Sequence, residues 1–395
     1  MTGTAERTQS LPAMVAIASI ISVAFAGSVV VTPLYSLYQQ KFGFSEITLT
    51  LVYAVYVVGN VIALLLLGQV SDQIGRKRVA MPALVLAALS ALLFLLATGT
   101  TFLFLARLLI GLAVGVASGT GTAWLADEFG PANRSTATVS AAAANLGGIA
   151  LGPLLGGLLA EYAPWPLELP FIVYIAILAV VAIALSPVSG SRPAGVASVK
   201  DVRVRPRVGV PRELYGAFAA PAVTGFVTFA LGGLYFALIP GVVIRDLHNT
   251  NLAVGGAVVS ELAAIAAAVI VLGRRLSPAV AMTSGLVLLL PAVGLVVAAQ
   301  AAGSMVLLLI ATAVGGVTMA LGYRGSLQVV NEIAPDDRRA EVTSSYFIAC
   351  FVGNSVPVIG LGVLSTLTQP LTGTIVFAGT IAALSGTALV WRRAI

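Results

Sequence analysis

Glu261 stands in the run Val-Val-Ser-Glu-Leu-Ala-Ala-Ile-Ala-Ala-Ala, well inside a long apolar stretch. It lies about nine residues into that stretch, which at 1.5 Å per helical residue is roughly 14 Å from the outer end and close to mid-bilayer. The other acidic residues fall in loops or at the ends of apolar runs. An ionised carboxylate is costly in hydrocarbon, so a group placed there takes up or releases a proton according to its access to water. That is what proton coupling requires. A fixed ion pair with Arg107 or Arg324, or a hydrogen-bonded polar contact, is the structural alternative. Arg107 lies about a third of the way into another apolar run, where a guanidinium must be paired or wet. It can bind a substrate anion, control a proton site, or snorkel toward the outer surface. Glu261 and Arg107 are the candidates for proton coupling. Arg324 sits toward the end of its run and can reach the surface. One histidine and one cysteine, Cys350, leave too few ligands for a Cys/His metal centre, and no cofactor is expected. Neither H-E-x-x-H nor G-x-x-x-x-G-K occurs, and no filter-like loop points to a channel.

A second group of residues is polar or aromatic within apolar runs and is expected to line a substrate cavity. Tyr53, Tyr56 and Asn60 are spaced three and four apart, on one helix face. Tyr346, Cys350 and Asn354 share a face in a later run, beside Pro357. Tyr35, Asn145, Thr228 and Tyr235 complete the set, with Phe226 and Phe229 nearby. Tyrosines at membrane ends usually act as interfacial anchors. Tyr53 and Tyr56 lie deeper than that, which favours the cavity.

The elements that must position these residues are membrane helices. Mean hydropathy is +1.04. Only 9% of residues are charged, too few for a soluble domain of 395 residues. Twelve apolar runs can be counted, at roughly 13–40, 47–69, 79–98, 101–126, 136–160, 168–187, 215–243, 252–272, 279–299, 304–330, 340–366 and 372–391. Residues 188–214 are polar and basic, and separate a first bundle of six (1–187) from a second (215–395). The fold class expected is therefore all-α: twelve transmembrane helices in two pseudo-symmetric six-helix bundles. Pro33, with Thr32 before it, is placed to bend the first helix.

The net charge of +6 follows topology rather than nucleic-acid binding. Every Lys and Arg except Lys41, Arg107, Arg245 and Arg324 falls in alternate loops or the termini, which places both termini in the cytoplasm. No aromatic–basic platform accompanies the charge, so a nucleic-acid partner is not expected. A stretch of the first half comes back in the second, which suggests a duplicated unit. A shift of 204 positions carries Glu128, Pro131, Arg134, Ser140, Pro153 and Gly156 onto Glu332, Pro335, Arg338, Ser344, Pro357 and Gly360. Roughly two such matches are expected by chance in a window of this length. Parallel repeats of this kind build transporters with a site between two halves.

Between the second and third runs lies Gly68-Gln-Val-Ser-Asp72-Gln-Ile-Gly75-Arg76-Lys77-Arg78. Three cations hold this loop on the cytoplasmic side. Gly75 makes a tight reversal. Asp72 can act as a latch by capping the N-terminus of a helix from the other half. The spacing resembles the first signature of the major facilitator superfamily, and the resemblance extends over essentially the whole chain. Arg107-Leu-Leu-Ile-Gly111 resembles the family's arginine motif in helix 4, with Ile110 in place of the usual glutamine. Gly148-Ile-Ala-Leu-Gly152-Pro153-Leu-Leu-Gly156-Gly157 resembles the helix 5 motif of the antiporter branch. Glycines four apart form a smooth groove and Pro153 interrupts the ladder, which favours close contact with a helix of the other half.

The resemblance implies a conformational latch of Gly68, Asp72, Gly75, Arg76, Arg78 and Asp127, the last joining Asp72 and Arg76 in a charge cluster. It also implies alternating access and proton-driven export of a small lipophilic or amphipathic compound, such as a drug or natural product. An uptake symporter or uniporter on the same fold is the alternative. Many drug antiporters of this family carry an acidic residue in helix 1, and this chain has none there, so coupling rests chiefly on Glu261. The partners expected are a small-molecule substrate, protons and the lipid bilayer, with the protein working as a monomer. Ala-, Gly- and Val-rich usage points to a bacterial cytoplasmic membrane.

Overall fold

A computed structural model describes residues 11–67, 70–130, 133–190 and 208–391. Gly68, Pro131 and most of the basic linker, 191–207, therefore lie outside the described residues. Among those described there is no β-strand, and twelve apolar helices can be followed. We number them α1 (Leu11–Phe42), α2 (Glu46–Leu67), α3 (Arg76–Leu95), α4 (Thr100–Phe129), α5 (Arg134–Tyr162) and α6 (Leu169–Leu185). In the second half are α7 (Tyr215–Ala237), α8 (Leu252–Leu272), α9 (Pro278–Ala302), α10 (Met305–Ile333), α11 (Arg339–Leu367) and α12 (Pro370–Trp391). Eleven are long and apolar enough to cross a membrane, and α6 is shorter.

Local chemistry sets the ends and breaks. Ser45 caps α2, Asn251 caps α8 and Ser304 caps α10, each accepting a backbone N–H of the first turn. Pro33 interrupts α1, which passes through a 3₁₀ turn at Thr32–Leu34 before resuming at Tyr35. A similar break before Pro240 separates α7 from a short helix, Ile239–Arg245.

Each group of six packs mainly within itself. α4 lies against α1, α2 and α3, and α5 against α1; in the second group α10 lies against α7, α8 and α9, and α7 against α11. The groups meet along two seams, α5 against α8 and α2 against α11. Large apolar side chains such as Leu151, Leu158, Val180, Ile183, Val352 and Val356 face outward, as a hydrocarbon solvent demands.

The α5 motif is used on two sides. Gly148, Gly152 and Gly156 lie one turn apart and press on the carbonyls of Ser22, Ala26 and Val30 in α1, so their partner is in the same half. Contact with the other half comes from the adjoining face. A Cβ on Gly157 would lie 2.7 Å from the Leu252 carbonyl oxygen, and one on Gly256 of α8 would lie 2.3 Å from that of Pro153. Expecting the whole motif to face the other half overlooked that Gly157 is rotated about 100° from Gly156 on the helix.

Candidate functional site

Close helix packing builds the centre of the first half. Gly111 and Gly59 let α2 and α4 touch backbone to backbone, which brings Tyr53 and Tyr56 over Arg107. Arg107 is only 1% exposed. Its Nη1 donates to the Ser28 carbonyl at 2.5 Å, while Nε has no partner. The guanidinium carbon lies 5.2 Å from the Tyr53 ring centre and 4.9 Å from that of Tyr56. Among the described residues Arg107 forms no ion pair with a carboxylate. Two π faces and one carbonyl are its compensation for lost water. Snorkelling does not occur.

The other expected cavity residues are mostly sealed in this conformation. Tyr53 OH donates to Asn354 Oδ1 across the α2/α11 seam at 3.1 Å. Asn60 Nδ2 donates to Tyr56 OH, and Tyr346 OH is 2.7 Å from Ser326 Oγ. Tyr235 OH meets Thr312, and Thr228 packs under Gly322. Tyr35 OH and Asn145 Oδ1 are shielded and have no partner. Burial obliges polar groups to find partners, and here most find one another.

Glu261 is half-buried, and its Oε2 is shielded without a hydrogen-bond partner. It makes no ion pair with Arg107 or Arg324 among the described residues. Arg324 instead donates to the carbonyls of Gly273 and Leu276 in the loop after α8. Along α8, Glu261 shares a side with the exposed Ala257, Ala264 and Ala268, at spacings of four, three and four. It therefore sits on the outward edge of its helix.

Gly75 has φ 102°, a value that favours glycine, and turns the chain into α3. Arg76 then donates through Nε to Asp127 at 2.9 Å and through Nη1 to Asp72 and Ser71. The charge cluster expected from the motif is therefore formed, within the first half. The Asp72 side chain is 57% exposed and, among the described residues, caps no helix of the second half. Arg78 is exposed. Lys77 holds the carbonyls of Ser186 and Val188 at the C-terminal end of α6, where a cation complements the helix dipole.

A second set of contacts, missed in the sequence, ties the halves at the face opposite the linker. Arg245 pairs with Glu46 across the halves and also with Asp246, which accepts from Gln300. At the other seam Glu161 Oε2 accepts from Leu252 N at 2.8 Å, and Tyr162 OH accepts from Asn251 at 2.9 Å. A carboxylate of the first half thus caps a helix of the second, on the face opposite the one expected. Behind these contacts is a small pocket lined from both halves, by Thr32, Tyr35, Gln39, Leu238 and Ser365 among others. On α1 the face that includes Thr32 is partly exposed at Ala18, Ser22 and Phe25 and buried at Val29 and Thr32. We expect Glu46→Gln to weaken the closed face by about 1 kcal/mol, or roughly fivefold in population. Labelling of a cysteine placed at Gln39 should rise accordingly. Labelling equal to that of the parent would show that the pair does not hold the face shut.

Comparison with known proteins fits this geometry. Residues 17–358 match the Major Facilitator Superfamily model. A stretch of 143 residues is 31% identical to the chloramphenicol resistance protein CraA of Acinetobacter baumannii, covering 36% of this chain and 34% of that protein. Another of 153 residues is 28% identical to multidrug resistance protein 2 of Bacillus subtilis, covering 39% and 38%. The chain thus spans about a third of the length of these curated relatives. In fold it is similar to a bacterial homologue of the human lysosomal transporter Spinster in an inward-facing, unoccupied state (TM-score 0.74, 15% identity, 98% of each chain). It is equally similar to the nucleoside transporter NupG (TM-score 0.74, 16% identity, 97% of this chain and 100% of that one). A twelve-helix architecture with two seams, a charge cluster after α2 and a family match over most of the sequence place this chain in the major facilitator superfamily, as a multi-pass membrane transporter and not an enzyme.

Proposed function

We propose that this transporter exports a small lipophilic or amphipathic compound in exchange for protons, by alternating access between two six-helix halves. The observation that carries the reading is two separate ionisable groups within the spans, Arg107 buried in α4 and Glu261 half-buried on the outward edge of α8, neither with a counter-ion among the described residues. Such groups are costly in hydrocarbon and commonly mark substrate or proton pathways. The α5 glycine–proline motif and relatives named for chloramphenicol and multidrug resistance support export. The distribution of Lys and Arg supports a cytoplasmic linker face and cytoplasmic termini. The arrangement described above is then an inward-facing state, closed by Glu46–Arg245 and Glu161–Leu252 and open toward the linker. One copy contains the whole site. Uptake by symport or facilitated passage is the second reading, favoured by the absence of any acidic residue in α1. Substrate flux in inverted vesicles separates the two: acid-inside energisation should drive accumulation, and accumulation only in right-side-out vesicles would overturn export.

Asp72 serves the cycle in this reading. It is free to change partner, because half of its side chain is open to water and its bond to Arg76 is local. We expect Asp72→Asn to slow turnover several-fold with little change in substrate affinity, since a neutral amide holds Arg76 less firmly and caps a helix less well. Single-turnover and steady-state rates in proteoliposomes test this, and unaltered turnover would reduce the loop to a topological signal.

A further inference from the structure

We propose that the second half carries an aromatic subsite, made by Phe229 of α7, Tyr323 of α10 and Phe347 and Phe351 of α11, that binds a planar aromatic group without negative charge on the transported compound. The inference rests on the transporter reading and goes beyond it in naming the chemistry of the ligand. Four rings from three helices meet in one continuous patch. Phe229 stands edge-on to Tyr323 at 5.6 Å and to Phe351 at 6.1 Å, and Phe351 stacks with Phe347 at 6.3 Å. All four are partly exposed.

The patch faces the cleft and not the lipid. On α11 the exposed Val352 and Val356 mark the outward side. Phe347, Phe351 and Asn354, spaced four and three apart, lie on the opposite side, and Asn354 reaches Tyr53 of the first half. Gly225 sets the depth of the wall. A Cβ there would lie 2.7 Å from both the Cys350 sulfur and the Tyr346 ring, so only glycine lets Tyr346 cross in front of α7 to reach Ser326. With Tyr346 OH engaged, the wall is left with ring faces, ring edges and the Tyr323 hydroxyl.

That inventory selects the ligand. A polyol or peptide needs several hydrogen-bond partners, which the wall lacks. An anionic ring needs a counter-charge, and no wall residue bears one. The neighbouring Arg324 is turned toward Gly273 and Leu276, and Arg107 is sealed beneath Tyr53 and Tyr56. An inserted flat ring extends the edge-to-face pattern already present, which a saturated ring of equal size cannot do.

The test measures binding to the purified full-length protein in nanodiscs, without any gradient, so that failure of export or of proton coupling leaves it unaffected. The probes are 9-anthracenemethanol and its fully saturated counterpart. The parent protein should bind the aromatic alcohol about tenfold more tightly than the saturated one. Phe229→Leu combined with Phe351→Leu should remove that preference, and Tyr323→Phe, which keeps the ring, should retain it. Melting temperatures identify folded variants; where the double variant does not fold, Phe351→Leu alone should lower the preference several-fold. Equal affinities in the parent, or an undiminished preference in a folded leucine variant, would overturn the subsite while leaving the transporter assignment intact.

Discussion

Glu261→Gln should abolish proton-driven accumulation while leaving substrate binding measurable. A membrane potential supplies about 2.3 kcal/mol per elementary charge per 100 mV, which corresponds to a substrate gradient of roughly fortyfold per net charge moved. Glutamine keeps the shape and one acceptor but carries no proton to exchange, so the gradient should fall to unity. Glu261 lies beside outward-facing alanines, and its Oε2 is shielded without a partner. A carboxylate there with no role in transport would be a cost, and its amide would give a protein that is more stable and equally active. Coupling predicts the opposite pairing: retained binding, a retained or raised melting temperature, and no response to a pH gradient. Accumulation in everted vesicles acidified inside, alongside equilibrium binding to purified protein, distinguishes the two. Undiminished accumulation by the glutamine variant would move the coupling site elsewhere, with Arg107 and its tyrosines next in line.

What could be read in the sequence follows the range of the forces involved. Runs of about 20 apolar residues define helices whatever surrounds them, and Pro33 breaks α1 because its ring acts on its own backbone. The cluster of Asp72 and Arg76 was legible because the two are one turn apart; Asp127 came from the family pattern. Contacts between distant segments left no such trace. Glu46 and Arg245 are 199 residues apart, and nothing in the local spacing of either announces the other. Phe226 and Phe229 could be seen near the site, but not that Phe229 would join rings from α10 and α11. Tyr53, Tyr56 and Tyr346, expected from their spacing to line a cavity, are packed and hydrogen-bonded in this conformation, Tyr53 and Tyr346 through partners on other helices. The carboxylate that caps a helix of the second half is Glu161 and not Asp72, and nothing in the local sequence around Glu161 points to Leu252.

Gly152→Val should all but eliminate folded, active protein, and the reason lies in a register shared by two helices. Gly148, Gly152 and Gly156 recur every four residues on α5, and the carbonyls they meet, of Ser22, Ala26 and Val30, recur every four on α1. A Cβ at the three positions would lie 2.2, 2.4 and 2.1 Å from those oxygens. Backbone stands on the receiving side each time, so no side chain can rotate away. Membrane helices associate through such close approach, because lipid offers no hydrophobic drive between them. Overpacking typically costs about 1–3 kcal/mol, and forcing the whole helix away would also disturb Gly157 and Pro153, which hold the α8 seam one face further round. The loss should therefore appear in both folding yield and transport. Gly147, one position from the ladder, is the control: a Cβ there meets nothing within 4 Å. Gly147→Ala should keep full transport and gain up to about 1 kcal/mol from helix propensity. Size-exclusion profiles, melting temperatures and efflux rates for the two variants decide the matter. A monodisperse, active Gly152→Val protein would mean that α1 and α5 separate freely, and that the glycine–proline motif serves something other than packing.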